Sequence, residues 1–308
     1  MVEYNLQKDL DEKRSYMVAK ANALIRKGRF DLSLGEQRAL NFLISKIKPD
    51  AKELPVIEFS VQEFCGIYKL DPNNGNNYKH VKNWLKSLRD KSWWISENGQ
   101  ESTMAWLQDV TITRNSGVIR CEFFPKMKPY LIALIQGGQG YYQFQLGLTI
   151  DFQSSYSMRM YELLKSYEYK SRNIGPEVRQ YRTQVIDLQE LKESLDDPEA
   201  NKNLKKGEKP KTLVRDMLYK DFRRRVLETS IQEINKYTDL QVSYEPIKMG
   251  RKVDQIKFTI VSLSTVDVMN RQAKNKAEAD GIDEKGQIPG QMNFYSPIKV
   301  SVEKLPEA

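Results

Sequence analysis

Three consecutive arginines, Arg223, Arg224 and Arg225, follow Lys220 in a segment whose Phe222, Val226, Ile231 and Ile234 recur at helical spacing. A guanidinium fork on an exposed helix can donate two hydrogen bonds to guanine O6 and N7, or it can grip a phosphate. This is the chemistry of recognition, with no bond made or broken. Three successive positions of an α-helix spread over about 200° of arc. One or two of the arginines are therefore expected on base edges, and the rest on phosphate or packed against the domain. The plainer alternative is a solvated face balanced by Asp221 and Glu228. A second basic set, Lys79, His80, Lys82, Asn83 and Lys86, looks outward from residues 78–89, where Val81, Leu85 and Leu88 form the apolar face and Trp84 its edge. Lysines on a helix surface are commonplace, so this set points less sharply to a ligand. His80, the single histidine of the chain, reads as a surface or cap residue beside core Val81.

The elements that must position these groups are announced by a repeat. Ser60-Val61-Gln62-Glu63-Phe64 and Asp187-Leu188-Gln189-Glu190-Leu191 both read as helix starts, with an N-cap residue and a glutamate three positions on. Each is followed by a basic amphipathic helix and then a strand, a polar turn and a strand. That order is a helix-turn-helix with a wing, twice over, and its natural partner is duplex DNA. The first wing joins 110–113 to 118–123 through Arg114-Asn115-Ser116-Gly117. The second joins 240–244 to 253–261 through Lys248-Met249-Gly250-Arg251-Lys252. Arg114, Lys248, Arg251 and Lys252 are thus placed for phosphate or minor-groove contact, which adds affinity and salt dependence more than sequence choice.

Ser33-Leu34-Gly35-Glu36 opens a helix that Pro49 stops, 61–68 forms a short second helix, and 70–77 reads as a turn. A longer helix is expected over 154–170, with Met160, Leu163, Leu164 and Tyr167 as its stripe, and a Lys-rich insertion over 196–212. The fold class is α+β, two tandem winged-helix domains with a disordered C-terminal tail. The expected limits are a helical arm over 1–28, a first domain over 29–138, a second over 139–263 and the tail over 264–308.

The 308 residues hold 49 Lys plus Arg against 41 Asp plus Glu, a net charge of +8 that favours a polyanionic partner. Residues 202–225 alone carry ten basic and three acidic groups. Cys65 and Cys121 lack the spacing of a disulfide framework or zinc site and are expected as buried small residues in a reducing compartment. No stretch has the length of a signal peptide or membrane span, so a cytoplasmic protein without membrane contact is expected. No cofactor, metal or catalytic residue is expected. Gly281 to Gly286 has the spacing of a phosphate loop, but Gln287 stands where its lysine must be. One histidine cannot supply the metal pair of a tyrosine-based DNA-nicking enzyme. In the tail, Gln291-Met292-Asn293-Phe294-Tyr295 resembles the Gln-Leu-x-Leu-Phe peptide with which bacterial proteins dock on the replicative sliding clamp. Gln291, Met292, Phe294 and Tyr295 would be its contacts, with a plain unstructured tail as the alternative.

Tyr156-Ser-Met-Arg-Met-Tyr-Glu-Leu-Leu164, Asp221-Phe-Arg-Arg-Arg-Val-Leu227, Glu233-Ile-Asn235 and the run from Thr238 through Lys248 to Lys252 together resemble the replication initiators of iteron plasmids. The resemblance spans about residues 15 to 261. It implies tandem winged helices that bind direct repeats of an origin as double-stranded DNA, help melt it, and recruit the host helicase or initiator. It also implies a dimer, joined mainly through the first domain, that binds an inverted repeat and represses the initiator's own promoter. A dedicated winged-helix repressor without a replication role is the alternative.

Overall fold

Ser33 sets the first domain in place. Its hydroxyl accepts from the Glu36 amide while the Glu36 carboxylate accepts from the Ser33 amide at 2.6 Å, a complete capping box. In the computed structural model, which describes residues 2–48, 51–97, 99–113, 117–132, 134, 140–168, 180–196 and 212–279, the chain runs α1 (Val2–Arg14), β1 (Met17–Ala21), α2 (Asn22–Lys27), β2 (Gly28–Arg29), α3 (Leu34–Ser45), β3 (Ile57–Ser60), α4 (Val61–Ile67) and α5 (Gly75–Asp90). Next come β4 (Ser92–Glu97), β5 (Gln100–Ala105), β6 (Leu107–Ile112), β7 (Val118–Phe123), α6 (Lys128–Leu131), β8 (Tyr141–Gln145) and α7 (Ser155–Ser166). The second half holds β9 (Gln180–Asp187), α8 (Leu188–Ser194), α9 (Tyr219–Phe222), a π-helical turn (Arg223–Leu227), α10 (Glu228–Tyr237), β10 (Leu240–Met249), β11 (Lys252–Ser262) and α11 (Thr265–Ala279). The fold is α+β, with two winged helices in tandem.

The doubled sequence pattern is a doubled topology. In the first domain the sheet order is β3-β7-β6 and in the second β10-β11-β9. In both, the strand before the short helix pairs antiparallel with the last strand of the wing hairpin. Ser60 and Asp187 each accept from the amide three residues on, so both helix starts are capped. Glu63 turns its carboxylate to Lys13 and Lys46 at 3.3 and 2.7 Å, fixing α4 to α1 and to the end of α3.

Several elements depart from expectation. The arm over 1–28 contains a strand as well as helices, because β1 pairs with β8 from Met17↔Gln145 to Ala21↔Tyr141. That ribbon joins segments on either side of the expected border at 138–139. The hairpin β4–β5, paired with β2, is unannounced in the motif count and is inserted between α5 and the wing. Its alternation is clear afterwards, since Trp93 and Ile95 are buried and Trp94 between them is exposed. Trp93 stacks on Trp106 at 4.8 Å between centroids, and Phe30 meets both edge-on. The turn expected over 70–77 is shorter, because the Asn74 side chain caps the Asn76 amide at 3.0 Å and starts α5 at Gly75. A first helical turn needs a cap more than an apolar face.

α7 ends at Ser166 and is buried on every side from Ser157 onward, where a single stripe was expected. It lies between the domains, so its polar residues must find partners inside the protein. Glu162 binds Lys20 of β1 at 2.8 Å, Tyr142 of β8 at 2.9 Å and Asn41 of α3 at 3.1 Å. Lys165 pairs with Asp239 at 2.5 Å and Glu168 at 2.8 Å. Arg159 donates to the carbonyls of Phe30 and Ser194, one in each domain, and burial pushes its guanidinium down to about 10. One helix therefore serves as a shared wall.

The expected tail over 264–308 opens with ordered structure, and its residues 280–308 lie outside the described residues. Residues 265–279 are helical because Ser264 and Asp267 cap each other and Arg271 donates to the carbonyls of Thr238 and Leu240, both at 2.7 Å. Asn275 adds a bond to the Lys236 carbonyl at 2.7 Å. These side chains satisfy backbone acceptors where α10 ends and β10 begins, a placement that weak apolar periodicity does not announce.

Candidate nucleic-acid interface

The second domain presents its basic helix on a rigid base. Phe222, Val226, Leu227, Ile231 and Ile234 are buried against the core. The Asn235 side chain behaves like an added strand, donating to the Val242 carbonyl at 2.8 Å and accepting from its amide at 2.7 Å. The wing strand is thereby locked to α10. Tyr244, farther along the same strand, donates to Glu228 at 3.4 Å.

Arg223, Arg224 and Arg225 sit in the π-helical turn, where the Glu228 amide donates to the Arg223 carbonyl five residues back and the Thr229 hydroxyl donates to the Arg224 carbonyl at 3.4 Å. A wider turn rotates less per residue than an α-helix, so consecutive side chains fan over a narrower sector. All three arginine side chains are exposed, at 52, 66 and 61%. None of them packs against the domain, which leaves phosphate as the expected place for any arginine that is not on a base edge. Lys220, in the preceding turn, is exposed as well.

The second wing is longer than expected, with β10 reaching Met249 and β11 starting at Lys252. Only Gly250 and Arg251 form its tip, and Gly250 has φ +64°, which favours glycine. Pro246 interrupts no ladder because β10 is an edge strand. Lys248, Arg251 and Lys252 are all exposed around this tip, together with Met249 at 72% exposure, which charge counting overlooks.

In the first domain, Lys79, His80, Lys82, Asn83 and Lys86 are exposed on α5, while Val81, Leu85 and Leu88 are buried. Lys86 is paired with Asp90, and His80 stacks on Trp84 at 5.8 Å between centroids. The helix is set close against α3. A Cβ built on Gly35 would fall 2.1 Å from the Trp84 ring, so only glycine leaves room for the indole. Arg114, Gln291, Met292, Phe294, Tyr295 and the Lys-rich segment 201–211 lie outside the described residues.

Cys65 and Cys121 are both buried, and burial raises both thiols, Cys121 to about 12. Neither is a thiolate at neutral pH. Among the described residues no helix is long and apolar enough to cross a membrane.

The arrangement can grip an extended polyanion and address a groove, with basic helices on rigid supports and a basic hairpin tip. Comparison with known proteins agrees with this architecture. The model for the initiator replication protein WH1 domain matches residues 17–165 and that for the initiator Rep protein WH2 domain matches residues 187–260, together more than half of the chain. The solved Pi initiator protein, in complex with iteron DNA, is 21% identical over 81% of this chain and 98% of its own, with a TM-score of 0.63, a likeness of fold. The WH1 domain of MSBI1.176, a replication protein isolated from a multiple sclerosis patient, is 16% identical over 32% of this chain and 79% of its own, at a TM-score of 0.27. The first match ends at the close of α7 and the second opens at the cap of α8, so both halves of the doubled fold are accounted for: the chain belongs to the Rep3 family of initiator replication proteins.

Proposed function

We propose that this non-catalytic initiator binds the direct repeats of a plasmid origin as double-stranded DNA, with the second domain as the principal reader. Arg223, Arg224 and Arg225 with Lys220 address the major groove, while Lys248, Arg251 and Lys252 of the wing hold phosphate or the minor groove. Lys79, His80, Lys82, Asn83 and Lys86 of α5, with Arg114 of the first wing, make the second insertion. Once bound, the protein helps open the origin and recruits host replication proteins to it. A dimer joined through the first domain represses the initiator's own promoter.

The observation that carries this reading is the exposure of all three arginines on a helix whose other face is wholly buried. Family membership and the iteron-bound Pi relative support the choice of ligand. The test is a nuclease footprint of the purified protein on DNA flanking its gene, over a salt series with random duplex as competitor. Protection of evenly spaced direct repeats, each about two helical turns long, is the expected outcome. Protection of a single inverted repeat at the promoter and nowhere else would contradict an origin role.

A further inference from the structure

Every arginine of the π-helical turn meets a carboxylate. Arg223 Nε lies 3.2 Å from Glu228, and Arg224 Nη2 and Arg225 Nε lie 3.5 and 3.9 Å from Asp221. Positions five apart in a regular α-helix stand about 140° apart around the axis and are not neighbours. The i→i+5 geometry of the turn is what stacks Glu228 over Arg223. Asp221 and Glu228 are each 40% exposed, and pairs this open to water add little to folding.

What the pairs change is the freedom of the guanidinium forks. A fork drawn toward a carboxylate on one edge by charge attraction, here at 3.2 to 3.9 Å, is biased in direction and keeps its other donors available. It can meet guanine O6 and N7 while keeping its carboxylate. A phosphate, in contrast, competes for the same charge, and must draw the fork away or come to rest beside a second anion.

We propose that Asp221 and Glu228 are specificity-determining residues, which orient the arginines toward base edges and penalise their use as general phosphate clamps. Both carboxylates therefore weaken binding to arbitrary DNA more than binding to the recognised repeat. The proposal rests on the reading of this helix as the DNA-contacting one.

The experiment measures binding of the full chain to a duplex carrying the footprinted repeat and to a random duplex, by fluorescence anisotropy over a salt series. Wild type is compared with Asp221→Asn, Glu228→Gln, the double variant and Asp221→Glu, each checked for an unchanged thermal melt. On random duplex, Asp221→Asn is expected to tighten binding by about threefold, the scale of one exposed charge interaction. Its log–log salt slope should steepen by about 0.9 for each phosphate newly gripped. Binding to the repeat should change less, so the ratio of repeat to random affinity falls, and Asp221→Glu should restore it.

Equal tightening on both duplexes would reduce the carboxylates to bulk charge and overturn the proposal, as would no change on either. Wild type that itself fails to prefer the repeat would overturn the reading of the helix, and this proposal with it. Wild-type preference with an unaltered ratio in the variants would overturn this proposal alone.

Discussion

Lys20 and Glu162, 142 positions apart in sequence, form an ion pair at 2.8 Å with side chains only 3 and 6% exposed. It fastens the β1–β8 ribbon to α7, the helix on which both domains lean. Removing one partner of such a pair leaves an uncompensated buried charge, which typically costs about 3 to 5 kcal/mol. Glu162 also accepts from Tyr142 and Asn41, so its loss orphans those groups too. Glu162→Ala should lower stability by about that amount in a urea melt. Replacing Lys20 and Glu162 together by methionine and leucine should recover the part of the loss that comes from the orphaned Lys20 charge, while Tyr142 and Asn41 still lack their acceptor. A double variant no better than Glu162→Ala would show that the charge itself is not the stabilising element.

Gly35 and Trp84 make a tighter prediction about the first domain. Because a Cβ on residue 35 would sit 2.1 to 2.5 Å from the indole, Gly35→Ala forces either the Trp84 ring out of its place or α3 and α5 apart. Overpacking of this kind costs about 1 to 3 kcal/mol. The thermal midpoint should fall, and Gly35→Ala combined with Trp84→Leu should regain part of it. An unchanged midpoint in the single variant would mean that the indole has no fixed place against α3.

Acid should loosen the same region. Burial alone would raise the Glu36 carboxyl, but hydrogen bonds from Ser87 and the Ser33 amide, and the charge of Lys91, outweigh it and hold the group below its ordinary value. The folded protein therefore favours the ionised form more than the unfolded chain does. Its contribution is complete above the ordinary glutamate range, near pH ~4.3, and is lost as pH falls through the depressed folded value. Melts of wild type and Glu36→Gln, taken from neutral pH downward, should converge in acid. Parallel curves would remove Glu36 from the account.

Much of this was legible from residue types alone. Ser33, Ser60 and Asp187 announced three helix starts, and the buried faces of α5 and of the α9–α10 segment followed from Val81, Leu85, Leu88, Phe222, Val226, Ile231 and Ile234. What resisted reading was tertiary. Nothing local to Met17–Ala21 says that its partner strand is Tyr141–Gln145, since the pairing is fixed by packing across the whole first domain. The burial of Glu162, Arg159 and Lys165 is invisible in a helical stripe because their partners come from distant elements. α11 depends on Arg271 reaching the carbonyls of Thr238 and Leu240, although its Ser264–Asp267 cap was present in the sequence as a motif. The arginines stand out by their place in the helical spacing, but the π turn that leaves all three exposed while Val226 and Leu227 are both buried has no local signal in the sequence.

The central claim is that the second-domain helix reads bases, and Arg224, the most exposed of the three arginines at 66%, tests it most directly. Affinities of wild type and Arg224→Ala would be measured on the footprinted repeat, on the repeat with each guanine changed in turn, and on random duplex. The predicted result is a loss of about 1 to 3 kcal/mol on the repeat, with discrimination relaxed at one guanine and random binding little altered. A uniform loss on all duplexes, with a salt slope reduced by about 0.9, would make Arg224 a phosphate contact and contradict the claim.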